Sequence, residues 1–137
     1  MKAAPRIVLD TNVCLALFLY ADPRCTALRV LLATHQAVAT RQTREEWVRV
    51  LRDGDFPFDM AQRDLAAAAY DACVSLIEPP TSTLPLPRCR DPDDQKFLEL
   101  ARDAGAVALY TRDRELLKLS RRTQRMCGFA VLLPDHP

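Results

Sequence analysis

The chain has little of what most side-chain chemistry relies on. Only two histidines occur, His35 and His136, so a Ser-His-Asp or Cys-His mechanism is poorly supported, and the H-E-x-x-H pattern of zinc hydrolases is missing. Its three glycines, Gly54, Gly105 and Gly128, form no glycine-rich loop to cradle phosphates, which excludes a nucleoside triphosphatase of that design. Five cysteines, Cys14, Cys25, Cys73, Cys89 and Cys127, are scattered without a C-x-x-C pair. An odd number without metal spacing reads as reduced thiols in a cytoplasm, neither a disulfide frame nor a zinc site. No apolar run approaches the roughly 20 residues of a membrane span, and the start M-K-A-A-P-R lacks the apolar segment of a signal peptide. Net charge is only +1, so total charge announces no polyanionic partner. Internal repeats and low-complexity tracts are absent. What remains is an ordinary soluble composition, 49% hydrophobic and 27% charged, over 137 residues, which is the length of one domain spanning 1–137.

The pattern alternates strands with helices. Strands are expected at 6–10, 37–40, 106–110 and 129–133, and helices at 12–19, 24–34, 43–52, 60–76, 93–104 and 115–120. Asp59 is the expected cap of the Ala-rich 60–76 helix, and Gly105 stops the 93–104 helix. The Pro-rich stretch 79–92 reads as an extended connection with room for a short edge strand, too short to separate two domains. This order predicts an α/β fold, three layers α/β/α around a mainly parallel sheet.

The first strand raises the functional question. In R-I-V-L-D-T-N the apolar run Ile7, Val8 and Leu9 has no alternation, as in a strand buried on both faces, and it runs straight into Asp10. Parallel sheets gather working groups where strands end and helices begin. Tyr110-Thr111-Arg112-Asp113 leaves a later strand in the same way, and Arg90-Asp91-Pro92-Asp93-Asp94 opens a helix. Carboxylates meeting on one edge repel each other, and a divalent cation such as Mg²⁺ or Mn²⁺ resolves that repulsion. Each acid also has a plainer reading. Asp10 can be a helix cap, Asp91 a cap before Pro92, and Asp93 a partner of the helix dipole. Asp94 differs, because it lines up with the apolar stripe Phe97, Leu98 and Ala101.

The same test separates two glutamates. Glu45 is spaced with Arg49 and Arg52 on a solvated face, whereas Glu46 adjoins Trp47 and the stripe of Val50 and Leu51. Thr43-x-x-Glu46 fits a capping box, which would give Glu46 a structural role. A helix start at Thr40 would instead leave it inside the helix.

Four stretches together are specific: V-L-D-T-N-V, R-E-E-W-V-R-V-L, R-D-P-D-D-Q-K-F-L-E-L-A and L-Y-T-R-D-R-E-L-L. In this order they resemble the PIN domain, and the third resembles a branch described as toxin components of toxin–antitoxin systems. The resemblance implies a metal-dependent ribonuclease with an α/β/α fold. It places the acidic site at Asp10, Glu46, Asp94 and Asp113, supported by Thr11, Asn12 and Thr111, with Asp10, Asp94 and Asp113 as ligands of Mg²⁺ or Mn²⁺. It also implies an RNA substrate, a small antitoxin protein and a homodimer. One departure is Glu115, where many relatives carry a second Asp.

Metal-assisted hydrolysis of a phosphodiester needs no histidine. A polyanion near acids needs cations, and Arg112, Arg114 and Arg41 are the candidates nearest the motifs. Lys118, Arg121, Arg122 and Arg125 follow, and they read equally well as a solvated basic face. Aromatics near the site are few, Tyr110 and Trp47, so no base-stacking device is evident. Two rivals are a PIN-like module that only binds RNA or protein, and a haloacid-dehalogenase-type phosphatase. The latter needs a second Asp where this chain has Asn12.

Overall fold

The structure is a computed structural model that describes residues 3–137; Met1 and Lys2, part of the start read above for a leader, lie outside the described residues. Five parallel strands form one sheet: β1 (Arg6–Leu9), β2 (Gln36–Ala39), β3 (Val74–Leu76), β4 (Ala108–Tyr110) and β5 (Ala130–Leu132). Their spatial order is β3-β2-β1-β4-β5. The chain therefore works outward from β1 to β3, then crosses back to β4 on the other side of β1. That reversal makes the carboxyl ends of β1 and β4 the switch point of the sheet, where such folds keep their sites.

Side chains alternate along each strand into two cores. Ile7, Leu9, Ala37, Ala39, Ala108 and Tyr110 join a cluster with Trp47, Leu51 and Tyr70 on one face. Val8, Val38, Leu109 and Val131 join Phe97, Leu98 and Phe129 on the other. The first face is covered by α1 (Thr11–Cys14), α2 (Thr26–Leu31), α3 (Arg41–Asp53) and α4 (Met60–Cys73), and the second by α5 (Gln95–Asp103), α6 (Arg114–Leu117) and α7 (Ser120–Cys127). The three-layer α/β/α fold expected from the sequence is the fold observed. All five cysteines are free thiols. No helix of the described residues is long and apolar enough to cross a membrane.

Three details depart from the expected pattern. The 60–76 helix ends at Cys73, and Val74–Leu76 pairs with β2, Val74 lying opposite Ala37. The edge strand thus precedes the Pro-rich connection and is not hidden inside it. The 12–19 helix is α1 followed by a π-helical turn, Leu15–Leu19, after which Ala21 takes a left-handed φ of 48°. The 115–120 helix is α6, and a further helix, α7, follows it and ends on Gly128 at φ 80°.

The α3–α4 connection is organised by one side chain. Arg63 donates to the carbonyls of Leu51 (3.1 Å), Arg52 (3.1 Å), Gly54 (2.8 Å), Phe56 (2.9 Å) and Phe58 (3.1 Å). Its guanidinium also lies over the Phe56 ring, 5.5 Å from the centroid. Gly54 is packed so closely that a Cβ there would meet the Phe56 ring at 2.3 Å and the Val50 carbonyl at 2.7 Å.

Candidate active site

Asp10 leaves β1 at the switch point and is 4% exposed. It caps α1, one carboxylate oxygen accepting from the Asn12 N–H at 3.1 Å, so the cap reading of the sequence is met. Its other oxygen accepts from the Thr111 hydroxyl at 2.6 Å. The Thr111 oxygen in turn accepts from the Asp113 N–H at 3.0 Å, and the Asp113 carboxylate caps α6 through the Glu115 N–H at 2.9 Å. Two strand ends 101 residues apart are thereby tied by one hydroxyl. Burial pushes the Asp10 carboxyl up from its ordinary value, and the charges of Glu46 and Asp113 push the same way against the Thr111 and Asn12 hydrogen bonds.

Asp94 ends a 3₁₀ turn, Pro92–Asp94, whose cap is Asp91. The turn brings the Asp94 carboxyl beside that of Asp113. Burial, the adjoining Asp113 carboxyl and the charge of Asp10 raise the Asp94 pKa to about 7.

Glu46 lies inside α3. The helix begins at the cap Thr40, whose side chain and that of Thr43 exchange hydrogen bonds with each other's backbone, so Thr43 and Glu46 form no capping box. Trp47 beside it is buried and stacked on Tyr70 at 5.0 Å, while Glu45 is exposed. One Glu46 oxygen accepts from the Thr11 hydroxyl. The other takes the Lys96 ammonium at 2.6 Å. Lys96 also donates to the Asp93 carbonyl at 2.5 Å. Lys96 is the one member of this assembly to which the sequence reading assigned no role. It sits inside the R-D-P-D-D-Q-K-F-L stretch, but its partner is on another helix.

All four acids therefore lie on one edge. Oxygen donors alone suit Mg²⁺ or Mn²⁺. Among the described residues no three His, Cys, Asp or Glu side chains are gathered so as to enclose an ion as they stand. The donor set is nonetheless of the right chemistry: the carboxyls of Asp94 and Asp113 adjoin, with Asp10 beside them, and these three would hold a cation. Glu46 is already paired with the Lys96 ammonium.

The remaining residues divide. Asn12 is exposed beside Asp10, and Thr11 is buried with its hydroxyl on Glu46. Arg41 and Arg114 are exposed at the starts of α3 and α6. Arg112 is not a free cation, being paired with Asp22 at 3.2 Å and Asp135 at 3.4 Å. Glu115 is paired with Lys118 at 3.1 Å. Arg121, Arg122 and Arg125 are exposed on α7.

Compared with known proteins, residues 6–115 match the family model described as PIN domain. No curated protein matches the chain.

Proposed function

The chain belongs to the PIN domain family, and from that premise we propose that it is a metal-dependent ribonuclease and the toxin of a toxin–antitoxin pair. PIN domains are generally nucleases and usually use Mg²⁺ or Mn²⁺. The observation that carries the reading is the meeting of Asp10, Glu46, Asp94 and Asp113 at the carboxyl edge where β1 adjoins β4.

Asp94 and Asp113, with Asp10, would hold the ion, which when bound supplies positive charge at the scissile phosphate and a more acidic water. The chain's own residues do the positioning. Thr111 fixes the Asp10 carboxylate, and Thr11 and Lys96 fix that of Glu46. Glu46 orients the attacking water. Exposed Arg41 and Arg114 flank the edge as phosphate contacts. The partners on this reading are RNA, a small antitoxin protein and a second copy of the chain, in a cytoplasm. The antitoxin would place a basic side chain, an arginine, in the acidic edge.

The test is cleavage of RNA by the purified chain with Mg²⁺ or Mn²⁺, beside Asp10→Asn. Asparagine caps a helix about as well as aspartate, so the variant should keep its fold and lose the activity. Equal cleavage by both proteins would reduce Asp10 to a cap. One observation favours the rival reading of a non-catalytic binding module, namely that Lys96 already neutralises Glu46. That module would bind RNA without cutting it under any metal.

Glu46→Gln should slow cleavage by about 10- to 100-fold, the range seen when a group that orients a metal centre is lost. Glu45→Gln, on the solvated face, should change it by less than about twofold. Steady-state rates of the two variants decide the matter, and equal rates would remove Glu46 from the site.

A further inference from the structure

We propose that a cavity beside the acidic edge is a base-binding subsite, which takes one nucleobase of the RNA strand next to the scissile phosphate, stacked on Tyr20 and bonded by Asn12. The proposal rests on the ribonuclease reading for the word RNA, but the cavity and its chemistry stand apart from it. The cavity measures about 490 Å³ and its walls include Asn12, Leu15, Ala16 and Tyr20. That lies within the roughly 300–1,000 Å³ of small-molecule sites. It adjoins the acidic edge through the two chain segments that carry Asp10 and Asp113. The Asn12 N–H is bonded to Asp10, and Arg112, another wall residue, lies between Thr111 and Asp113.

The walls suit a flat, uncharged ring. Leu15 and Ala16 supply an apolar surface from the π-helical turn. Tyr20, 47% exposed, is held by edge-to-face contacts with Phe56 at 6.2 Å and Phe58 at 5.0 Å. The left-handed Ala21 follows, a conformation unfavourable for a residue with a Cβ, and it turns the chain so that Tyr20 and Asp22 share one cavity. The amide of Asn12 can both donate to and accept from a base edge.

The charged wall argues against a phosphate pocket. Arg24 and Arg112 both bind the Asp22 carboxylate, at 2.9 and 3.2 Å, and Arg112 also binds Asp135. Two guanidinium groups against two carboxylates leave no net charge to attract an anion. A phosphate would have to displace Asp22, and a base would not. The sequence offered no base-stacking device near the motifs, because Tyr20 lies eight residues beyond Asn12, across the π-helical turn Leu15–Leu19.

The subsite is tested first without metal and without catalysis. Nucleoside 5′-monophosphates are titrated calorimetrically into the protein in excess chelator, with ribose 5-phosphate as the control. Nucleotides should bind and ribose 5-phosphate should not. Tyr20→Leu should weaken binding about tenfold, the scale of one lost base–aromatic stack, while Tyr20→Phe, which keeps the ring, should retain it. Equal binding of ribose 5-phosphate, or no nucleotide binding at all, would overturn the proposal; the latter would leave the cavity to a side chain of a protein partner. The second arm uses RNA oligonucleotides that each lack one base. A gap at one fixed position from the cut should raise KM about tenfold for the wild type and leave Tyr20→Leu indifferent. A cleaving enzyme for which no single gap matters would also overturn it. Nucleotide binding by a protein that cleaves no RNA would support the subsite while overturning the ribonuclease reading, so the two fail separately.

Discussion

Asp94→Asn is expected to lower metal-dependent cleavage by about 10³-fold, the upper scale for removing one principal electrostatic group from an active site, and to make the metal-free protein more stable at pH 8. The two effects have one cause. The Asp94 carboxyl is held against that of Asp113, with Asp10 charged nearby, and its pKa stands at about 7 against an ordinary 3.8. The folded protein thus binds this proton more tightly than the unfolded chain does. The resulting stability is whole below about pH 4 and is lost as pH rises through about 7. At pH 8 the wild type carries the unrelieved repulsion, and an amide in place of the carboxyl removes it while still able to donate to Asp113. Thermal melts across pH 4–8 in chelator should therefore show wild-type stability falling over that window relative to Asp94→Asn. Adding Mg²⁺ or Mn²⁺ at pH 8 should raise the wild-type melting temperature and raise the variant's much less. Parallel pH profiles and equal responses to metal would show that Asp94 faces no such repulsion and binds no ion.

Arg63→Ala is expected to destabilise the fold by about 3 kcal/mol, although the side chain belongs to no acid of the site. Hydrogen bonds to charged groups contribute roughly 1.5–3 kcal/mol each, but five on one side chain are not additive. Their loss leaves the carbonyls of residues 51, 52, 54, 56 and 58 without this donor in a tightly turned connection. The melting temperature should fall by about 10 °C. Arg63→Lys should recover less than half of the loss, because an ammonium has three donors and no fork to span five acceptors. Full recovery by lysine in a denaturant titration would mean that charge alone, and not the fan of carbonyl bonds, is what matters.

How far the site could be read beforehand depended on what kind of contact defines each residue. Asp10 was legible because a buried strand ending in an acid is unusual at any composition. Asp94 and Glu46 were legible because helical spacing put them on the faces of Phe97 and Trp47, which are buried as that spacing implied. The start of α3 was not decidable, since Thr40 and Thr43 are both good caps and in the fold each serves the other. No glycine or proline marks the junction of α4 with β3; Val74 turns extended because β2 offers it a ladder, which is a tertiary cause. The helix α7 was missed because S-R-R-T-Q-R-M-C has almost no apolar stripe. Its one fully buried side chain is Thr123, whose hydroxyl satisfies the Phe129 carbonyl at 2.8 Å. Lys96 drew no expectation and Arg112 was expected as a free phosphate contact for a common reason: their carboxylate partners, Glu46, Asp22 and Asp135, are distant in the chain.

The hydroxyl that ties the ends of β1 and β4 has a consequence for synthesis. Asp10 is made early, but Thr111 is added 101 residues later. At about 5–20 residues per second, that interval is about 5–20 s. During it the nascent chain carries one acid of the edge without its buried partner, and later three, before Asp113 arrives. The pairing of β1 with β4 spans about three quarters of the chain and is of the slow, non-local kind. On the ribonuclease reading, a ribosome engaged in making this protein therefore holds no assembled edge within reach of its own RNA until the final third has emerged.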